Sequence, residues 1–144
     1  MHAGGSGRSH EHFSHGSDIG IRGRGPGLAA AFEEAALALM AVITDPELVE
    51  PREEVSIRCS GDDPELLLFD WINAIILEMA ARRMLFGHFE IEIQGGELRG
   101  KALGEPLDVE RHRPSVEVKG ATMTFLAVRE EPDGSFVAQC VVDV

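Results

Sequence analysis

The spacing of the apolar residues changes from a helical to a strand-like period near residue 88, and this change limits the possible folds. Upstream, apolar side chains recur at steps of three and four within 28–44 and 61–86, which predicts two helices. Downstream, the stretch 88–94 alternates between apolar and polar residues, which predicts a strand, and Gly95-Gly96 predicts a hairpin turn. Helices followed by a strand-rich half predict an α+β fold, with two helices packed on one face of a mainly antiparallel sheet.

Further strands are predicted at both ends of the chain and around the helices. One or two short extended pieces follow residue 10, interrupted by Gly16-Ser17. The others are predicted over about 53–60, 97–104, 115–131 (one strand or two, with Gly120 as a bulge) and 135–144. The polar stretch 108–114 is interpreted as an irregular, solvated loop. Residues 1–9 are predicted to be a disordered segment, and residues 10–144 a single domain.

The charge balance narrows the classes of partner. The chain carries 25 acidic and 13 basic residues, a formal net charge of −12 at pH 7. Such a surface repels phosphates, so the composition argues against tight direct binding of RNA or DNA. It permits binding of cations or of a basic protein. No apolar run approaches the roughly 18 residues of a membrane span, so no membrane partner is predicted.

Cysteine content and the N-terminal sequence bear on the compartment. Cys59 and Cys140 both lie in strand-like runs and are interpreted as buried apolar side chains, with a disulfide between them as the alternative. Two cysteines suit a reducing compartment, and the polar N-terminus shows no secretory signal. We predict a cytoplasmic protein.

Few residue patterns point to catalysis, since the sequence has no G-x-S-x-G elbow, P-loop spacing or C-x-x-C zinc pair. Asp18, in a Gly/Ser-rich stretch, is either a turn residue or a functional carboxylate. Asp143 follows an apolar strand and precedes Val144, the last residue of the sequence. It is either part of a frayed end or forms an anionic pair with the terminal carboxylate. Such a pair plus a third carboxylate would suit Ca²⁺, Mg²⁺ or Mn²⁺.

Three other polar residues are candidates with ordinary alternatives. Glu117 and Lys119 lie in one charged stretch, where a Glu–Lys ladder on a polar strand face would explain both. His15 lies three residues before Asp18 and is either a metal ligand or a solvated side chain.

Seven stretches occur together in a recognisable order: HGSDIGIR, AFEEAALALMAVITD, LLLFDWINAIIL, FEIEI, GEPLDVERH, VEVKGATMTFLAV and the final VVDV. From about His10 to Val144 the sequence resembles the archease family. The resemblance implies a compact α+β fold of the SHS2 type and a small acidic protein that activates an RtcB-type RNA-splicing ligase. In that role it promotes guanylylation and multiple turnover of the ligase in tRNA splicing or RNA repair, and it is not itself an enzyme.

The resemblance also implies a site for a divalent cation, calcium or else magnesium or manganese. Its ligands would be Asp18, from the family's H-T-A-D motif, with Asp143 and the carboxylate of Val144. Lys119 matches the lysine of the family's V-K motif, and Glu117 matches the acid two residues before it. With His15, these two residues are candidates for contact with the partner or a nucleotide.

The sequence departs from the family pattern in two places. Gly16-Ser17 stands where Thr-Ala is usual, and Met123-Thr124 stands where Tyr and His are common. Two other functions stay open. A carboxylate–metal site near Lys119 could make the chain a metal-dependent phosphoesterase, and a pocket between helix and sheet could make it a small-molecule-sensing SHS2 domain.

Overall fold

The computed structural model describes residues 7–144, which form two antiparallel sheets and two long helices. The first sheet contains β1 (Ser9–His15), β2 (Asp18–Gly25), β6 (Gly120–Ala121), β7 (Ala127–Glu130) and β8 (Phe136–Asp143). The second contains β3 (Glu53–Ser60), β4 (Met84–Gln94) and β5 (Glu97–Pro106). The helices are α1 (Leu28–Ile43), α2 (Pro64–Arg82) and the short α3 (Val109–His112), with a 3-10 turn at Pro46–Leu48.

The predicted α+β class is confirmed, and the strands are divided between two sheets rather than belonging to one. The strand order is β1-β2-β8-β6 in the first sheet, with β7 also pairing with β8, and β3-β5-β4 in the second. Both long helices contact both sheets. Trp71 of α2 is fully buried and donates its indole N–H to the carbonyl of Phe32 in α1 (3.1 Å), so the two helices are bonded directly inside the core.

Local sequence explains where the second helix begins and ends. Asp63 accepts a hydrogen bond from the Glu65 N–H (2.9 Å) and Pro64 occupies the first turn, which are favourable residues at these positions. The predicted helical stretch reaches residue 86, but the helix ends at Arg82, because Arg83 has a left-handed conformation (φ 56°) and β4 begins at Met84. The predicted hairpin turn at Gly95-Gly96 is confirmed, and both glycines have positive φ.

The first sheet brings the two ends of the sequence together. β2 pairs with β8 along its length, from Ile19 opposite Val142 to Gly25 opposite Phe136. A Cβ atom on Gly23 would lie 2.2 Å from the Ala35 nitrogen, so this glycine allows α1 to approach the strand closely. The face that carries Ile19, Ile21 and Gly23 therefore packs on α1, and the opposite face of the sheet is called the outer face below.

Two predictions about the second half of the chain are wrong. The strand predicted over 115–131 is limited to β6 and β7. The Ser115 N–H and hydroxyl are hydrogen-bonded to carbonyls of Val42 and Ile43, so this backbone satisfies the C-terminus of α1 instead of a strand. The stretch 108–114, predicted as irregular, contains α3, whose first N–H groups are capped by Asp108.

The remaining sequence predictions concern the cysteines and the N-terminus. Cys59 in β3 and Cys140 in β8 are both free thiols, and burial raises the pKa of Cys140 to about 12. β1 begins at Ser9, whereas residues 1–6 of the segment predicted to be disordered lie outside the described residues. No helix within 7–144 is long and apolar enough to cross a membrane.

Candidate functional site

A row of four residues crosses the end of the first sheet. His15 of β1 pairs with Asp18 of β2, and Gly120 of β6 pairs with Asp143 of β8. The next step of the β2–β8 register places Asp18 beside Asp143. Neighbouring strands lie roughly 4.8 Å apart, and side chains directly opposite each other share one face of the sheet. The fold thus brings together two carboxylates from opposite ends of the sequence.

The turn between β1 and β2 sets the position of Asp18. Gly16 and Ser17 form a two-residue turn between the paired residues His15 and Asp18. Gly16 has φ +62°, a conformation that glycine adopts without the steric cost of a side chain. The departure from Thr-Ala at these two positions is therefore compatible with a tight hairpin that presents Asp18 as its first strand residue.

Neither carboxylate of the row has a protein partner among residues 7–144. Asp18 is half-buried and Asp143 is exposed, and neither side chain forms a hydrogen bond or an ion pair with another described residue. Like charges directly opposite on neighbouring strands destabilise a sheet. A bound cation would remove this repulsion, and carboxylate oxygens are the ligands that Ca²⁺ and Mg²⁺ prefer.

Two aspartates alone supply too few side-chain ligands for a metal site at this end of the sheet. The part of the chain that the structure describes holds no group of three or more His, Cys, Asp or Glu side chains placed to bind a metal ion. The two aspartates therefore need at least one oxygen of another kind. Val144 follows Asp143 directly and packs its side chain against the edge of the core, so its main-chain oxygen is next to the pair in sequence. The chemistry of this set fits a hard divalent cation.

The other predicted contact residues divide between two places. The Lys119 N–H donates to the carbonyl of Asp143 (2.8 Å), so Lys119 lies at the same end of the sheet, and its ammonium group forms no ion pair within 7–144. His15 contacts the ring of Phe125 edge-on, with 5.1 Å between ring centroids. Glu117 instead lines a groove of about 590 Å³ between α2, β4 and the segment 114–118.

This groove is walled mainly by apolar side chains. Those that line it from the helices and β4 include Ile43, Ile76, Met79, Met84 and Leu85. Val116 and Val118 of the irregular segment close one side. Because the segment is bonded to the end of α1 through Ser115, the groove is a consequence of the backbone that the sequence pattern assigned to a strand.

A second polar cluster, centred on Glu105, was not found by sequence reasoning. Glu105 and His112 are both 1% exposed. The Asp108 N–H donates to Nδ1 of His112 (2.9 Å), so Nε2 of the neutral ring carries the proton and donates to Glu105 (2.9 Å). Arg111 completes the cluster with a 2.6 Å ion pair to the same carboxylate. The sequence feature that could have indicated it is Asp108, a residue type that favours the N-cap of a helix such as α3.

The pKa of Glu105 reflects how well this cluster satisfies the charge. Burial acts to raise the pKa, whereas hydrogen bonds from Arg111, the Glu50 N–H and His112 lower it from an ordinary 4.5 to about 2. The cluster therefore joins the end of β5 to α3 and to the loop before β3. It is a structural element with its charges satisfied by the protein.

Comparisons with known proteins agree with the fold. The model of the Archease protein family (MTH1598/TM1083) matches residues 10–144. Protein archease of Pyrococcus furiosus is 39% identical over 141 residues, which cover 95% of this chain and 99% of that protein. Protein archease of Methanopyrus kandleri is 44% identical over 115 residues, covering 77% of this chain and 81% of that protein.

A solved structure agrees as well. The solution structure of Methanobacterium thermoautotrophicum protein 1598 superposes with a TM-score of 0.79 at 29% identity, covering 94% of this chain and 99% of that one. A family model that spans residues 10–144 and relatives of nearly equal length lead to one conclusion: the chain belongs to the archease family.

Proposed function

We propose that this chain is an accessory protein that activates an RtcB-type RNA-splicing ligase. It would promote guanylylation and multiple turnover of the ligase in tRNA splicing or RNA repair, acting in the cytoplasm and not as an enzyme in its own right. Family membership supports this assignment. The site in this proposal is the pair Asp18 and Asp143, which the register brings side by side and which pairs with no cationic side chain among residues 7–144.

In this proposal the pair binds a divalent cation. Asp18, Asp143 and the Val144 carboxylate would hold calcium, magnesium or manganese, all of which accept oxygen ligands. When bound, the ion supplies positive charge at an end of the sheet where two carboxylates face each other. Lys119 and His15 would contact the ligase or its nucleotide from the same end, and Glu117 from the neighbouring groove.

The charge of the chain supports a protein partner rather than direct RNA binding. An RNA ligase needs a basic surface to bind its substrate, and a partner with a net charge of −12 is attracted to such a surface. Complementary charge raises the rate of encounter and fixes orientation more than it raises affinity. The acidic row at the end of the sheet would then approach the active site of the ligase.

The test is RNA ligation with limiting ligase and an excess of RNA ends. Asp18→Ala and Asp143→Ala are each expected to reduce the number of ligations per ligase molecule by at least about 10-fold, since each removes one of few ligands. Asp70→Ala is the matched control, because Asp70 is an exposed aspartate on α2. Full stimulation by the Asp18 and Asp143 variants would show that the site assignment is wrong.

The same preparations separate the proposal from the phosphoesterase alternative. The isolated wild-type protein with Mg²⁺, Mn²⁺ or Ca²⁺ is expected to hydrolyse no phosphoester of a broad panel. Metal-dependent turnover that is lost in Asp143→Ala would instead favour an enzyme.

A further inference from the structure

A loop over the outer face of the first sheet exposes two large apolar side chains. Residues 122–126, called the tip loop below, connect β6 to β7 while both strands pair with β8. Met123 is 60% exposed and Phe125 is 57% exposed. Side chains of this size are usually buried, so two of them within three residues form a small apolar surface that needs a reason.

Hydrogen bonds fix the backbone of the tip loop. The Thr122 N–H donates to the Val141 carbonyl (2.9 Å), and the Val141 N–H donates to the Thr124 carbonyl (3.1 Å). The side-chain amide of Gln139 donates to the carbonyl of Phe125 (3.1 Å). The apolar side chains are thus presented by a backbone anchored to the central strand β8, not by a loose loop.

Phe125 has a backbone conformation that its side chain disfavours. Its φ is +52°, in the left-handed region that asparagine and glycine adopt far more readily than phenylalanine. Such a residue persists only where the surroundings fix it, and such positions concentrate at sites of function. A phenylalanine here keeps an aromatic ring exposed at a conformational cost that glycine would avoid and asparagine would lower.

Aromatic contacts orient the Phe125 ring. It packs edge-on against His15 (5.1 Å between centroids) and against Phe13 (6.3 Å), and the Arg22 guanidinium lies over Phe13 at 4.6 Å. His15 is also the first residue of the row that continues to Asp18. The apolar tip and the unpaired carboxylates therefore form one continuous surface at the same end of the sheet.

We propose that Phe125, together with Met123, is a preorganised anchor that inserts into an apolar pocket with a basic rim on the RNA ligase. This inference rests on the function proposed above and names the surface through which the chain docks. Aromatic residues in fitted pockets carry most of the binding energy of many interfaces. A backbone fixed before binding lowers the entropic cost.

Charge complementarity favours a basic protein partner over a second copy of this chain or RNA. Asp18 and Asp143 border the tip loop and form no ion pair with any described residue, and the whole chain has a net charge of −12. A second copy of this chain would bring like charges together, and RNA would bring phosphates to the same carboxylates. A protein surface with an apolar pocket and basic rim satisfies both parts of the patch.

The test measures the affinity of the full chain for an RtcB-type ligase of the same organism by titration calorimetry. Phe125→Asn removes the ring and places a residue that tolerates the left-handed conformation, so the fold is expected to keep or gain thermal stability. Binding is expected to weaken at least about 10-fold, and Phe125→Tyr is expected to retain it. Leu77→Ala is the matched control, since Leu77 is 67% exposed on α2.

The outcomes separate this inference from the function on which it rests. If Phe125→Asn bound the ligase with wild-type affinity while Asp143→Ala still failed to stimulate ligation, the anchor would be wrong and the proposed function would stand. Absence of both binding and stimulation by the wild-type chain would overturn both. A wild-type homodimer that Phe125→Asn dissociates, with ligase affinity unchanged, would show that the tip binds a second copy instead. If the wild-type chain bound RNA and Phe125→Asn lost that binding with its ligase affinity unchanged, the tip loop would be an RNA contact and the proposed pocket on the ligase would be wrong.

Discussion

Two groups of carboxylates in this protein are treated in opposite ways by the fold. Glu105 is 1% exposed and is bonded to Arg111, His112 and the Glu50 N–H. Asp18 and Asp143 lie side by side at the end of the first sheet, and no described residue donates to either side chain or pairs with it. The first group is complete within the protein, whereas the second is left with its charge uncompensated.

The contrast separates structural from functional acidity. Burying a carboxylate is tolerable only when donors and cations surround it, as they do around Glu105. Two aspartates facing each other across strands weaken the sheet that carries them. Because the aspartate pair by itself does not stabilise the fold, it is the better candidate for a site that binds a cation. Stability measurements on variants of Glu105 and of the pair can test this contrast.

Removal of Glu105 is expected to have the largest effect on stability. Glu105→Ala leaves His112 buried without its partner and removes the ion pair to Arg111, so the free energy of unfolding should fall by about 3 kcal/mol. Chemical denaturation of the variant and of Asp70→Ala, an exposed carboxylate, measures the difference. A loss below that of the control would mean that the Glu105 cluster contributes nothing to the fold.

Acid is expected to remove part of the same stabilisation. The pKa of Glu105 is lowered in the folded state from an ordinary 4.5 to about 2, so the charged form stabilises the protein above pH 4.5. This contribution is lost progressively as the pH falls from 4.5 towards 2. Glu105→Gln should therefore show a flatter dependence of unfolding free energy on pH in this window. Parallel curves for the variant and wild type would show that Glu105 is not the source of this pH dependence.

Local sequence patterns predicted the elements that local physics determines. The helical periods of α1 and α2, the strand β3 and the Gly95-Gly96 turn depend on neighbouring residues and were predicted correctly. The stretch 108–131 was not, because its backbone bonds go to distant partners: Ser115 to the end of α1 and Thr122 to Val141. The pattern VEVKG alternates like a strand, yet Gly120 alone of its five residues lies in one.

The two acidic groups differ in predictability for the same reason. Glu105 and His112 are seven residues apart, but their burial depends on how α3 folds back onto β5, which no periodicity shows. Asp18 and Asp143 were linked through the family resemblance, and the β2–β8 register then gave that link a geometry. Phe125 is 57% exposed and has a left-handed backbone conformation, and the sequence alone signals neither.

The smallest expected effect gives the sharpest distinction between the two groups, because its sign reverses. In the presence of a chelator, Asp143→Asn removes a like charge opposite Asp18 and should stabilise the protein by about 0.5 kcal/mol. With saturating Ca²⁺, Mg²⁺ or Mn²⁺, the wild type gains the free energy of cation binding and should become the more stable of the two. Thermal melts of both proteins, each with and without the cation, measure the four values. Glu105→Gln should lose stability in both conditions by the same amount, since Glu105 is buried and already paired with Arg111, away from the added metal ion. A variant Asp143→Asn that is less stable than wild type even with chelator would mean that the carboxylate is satisfied within the protein, as Glu105 is.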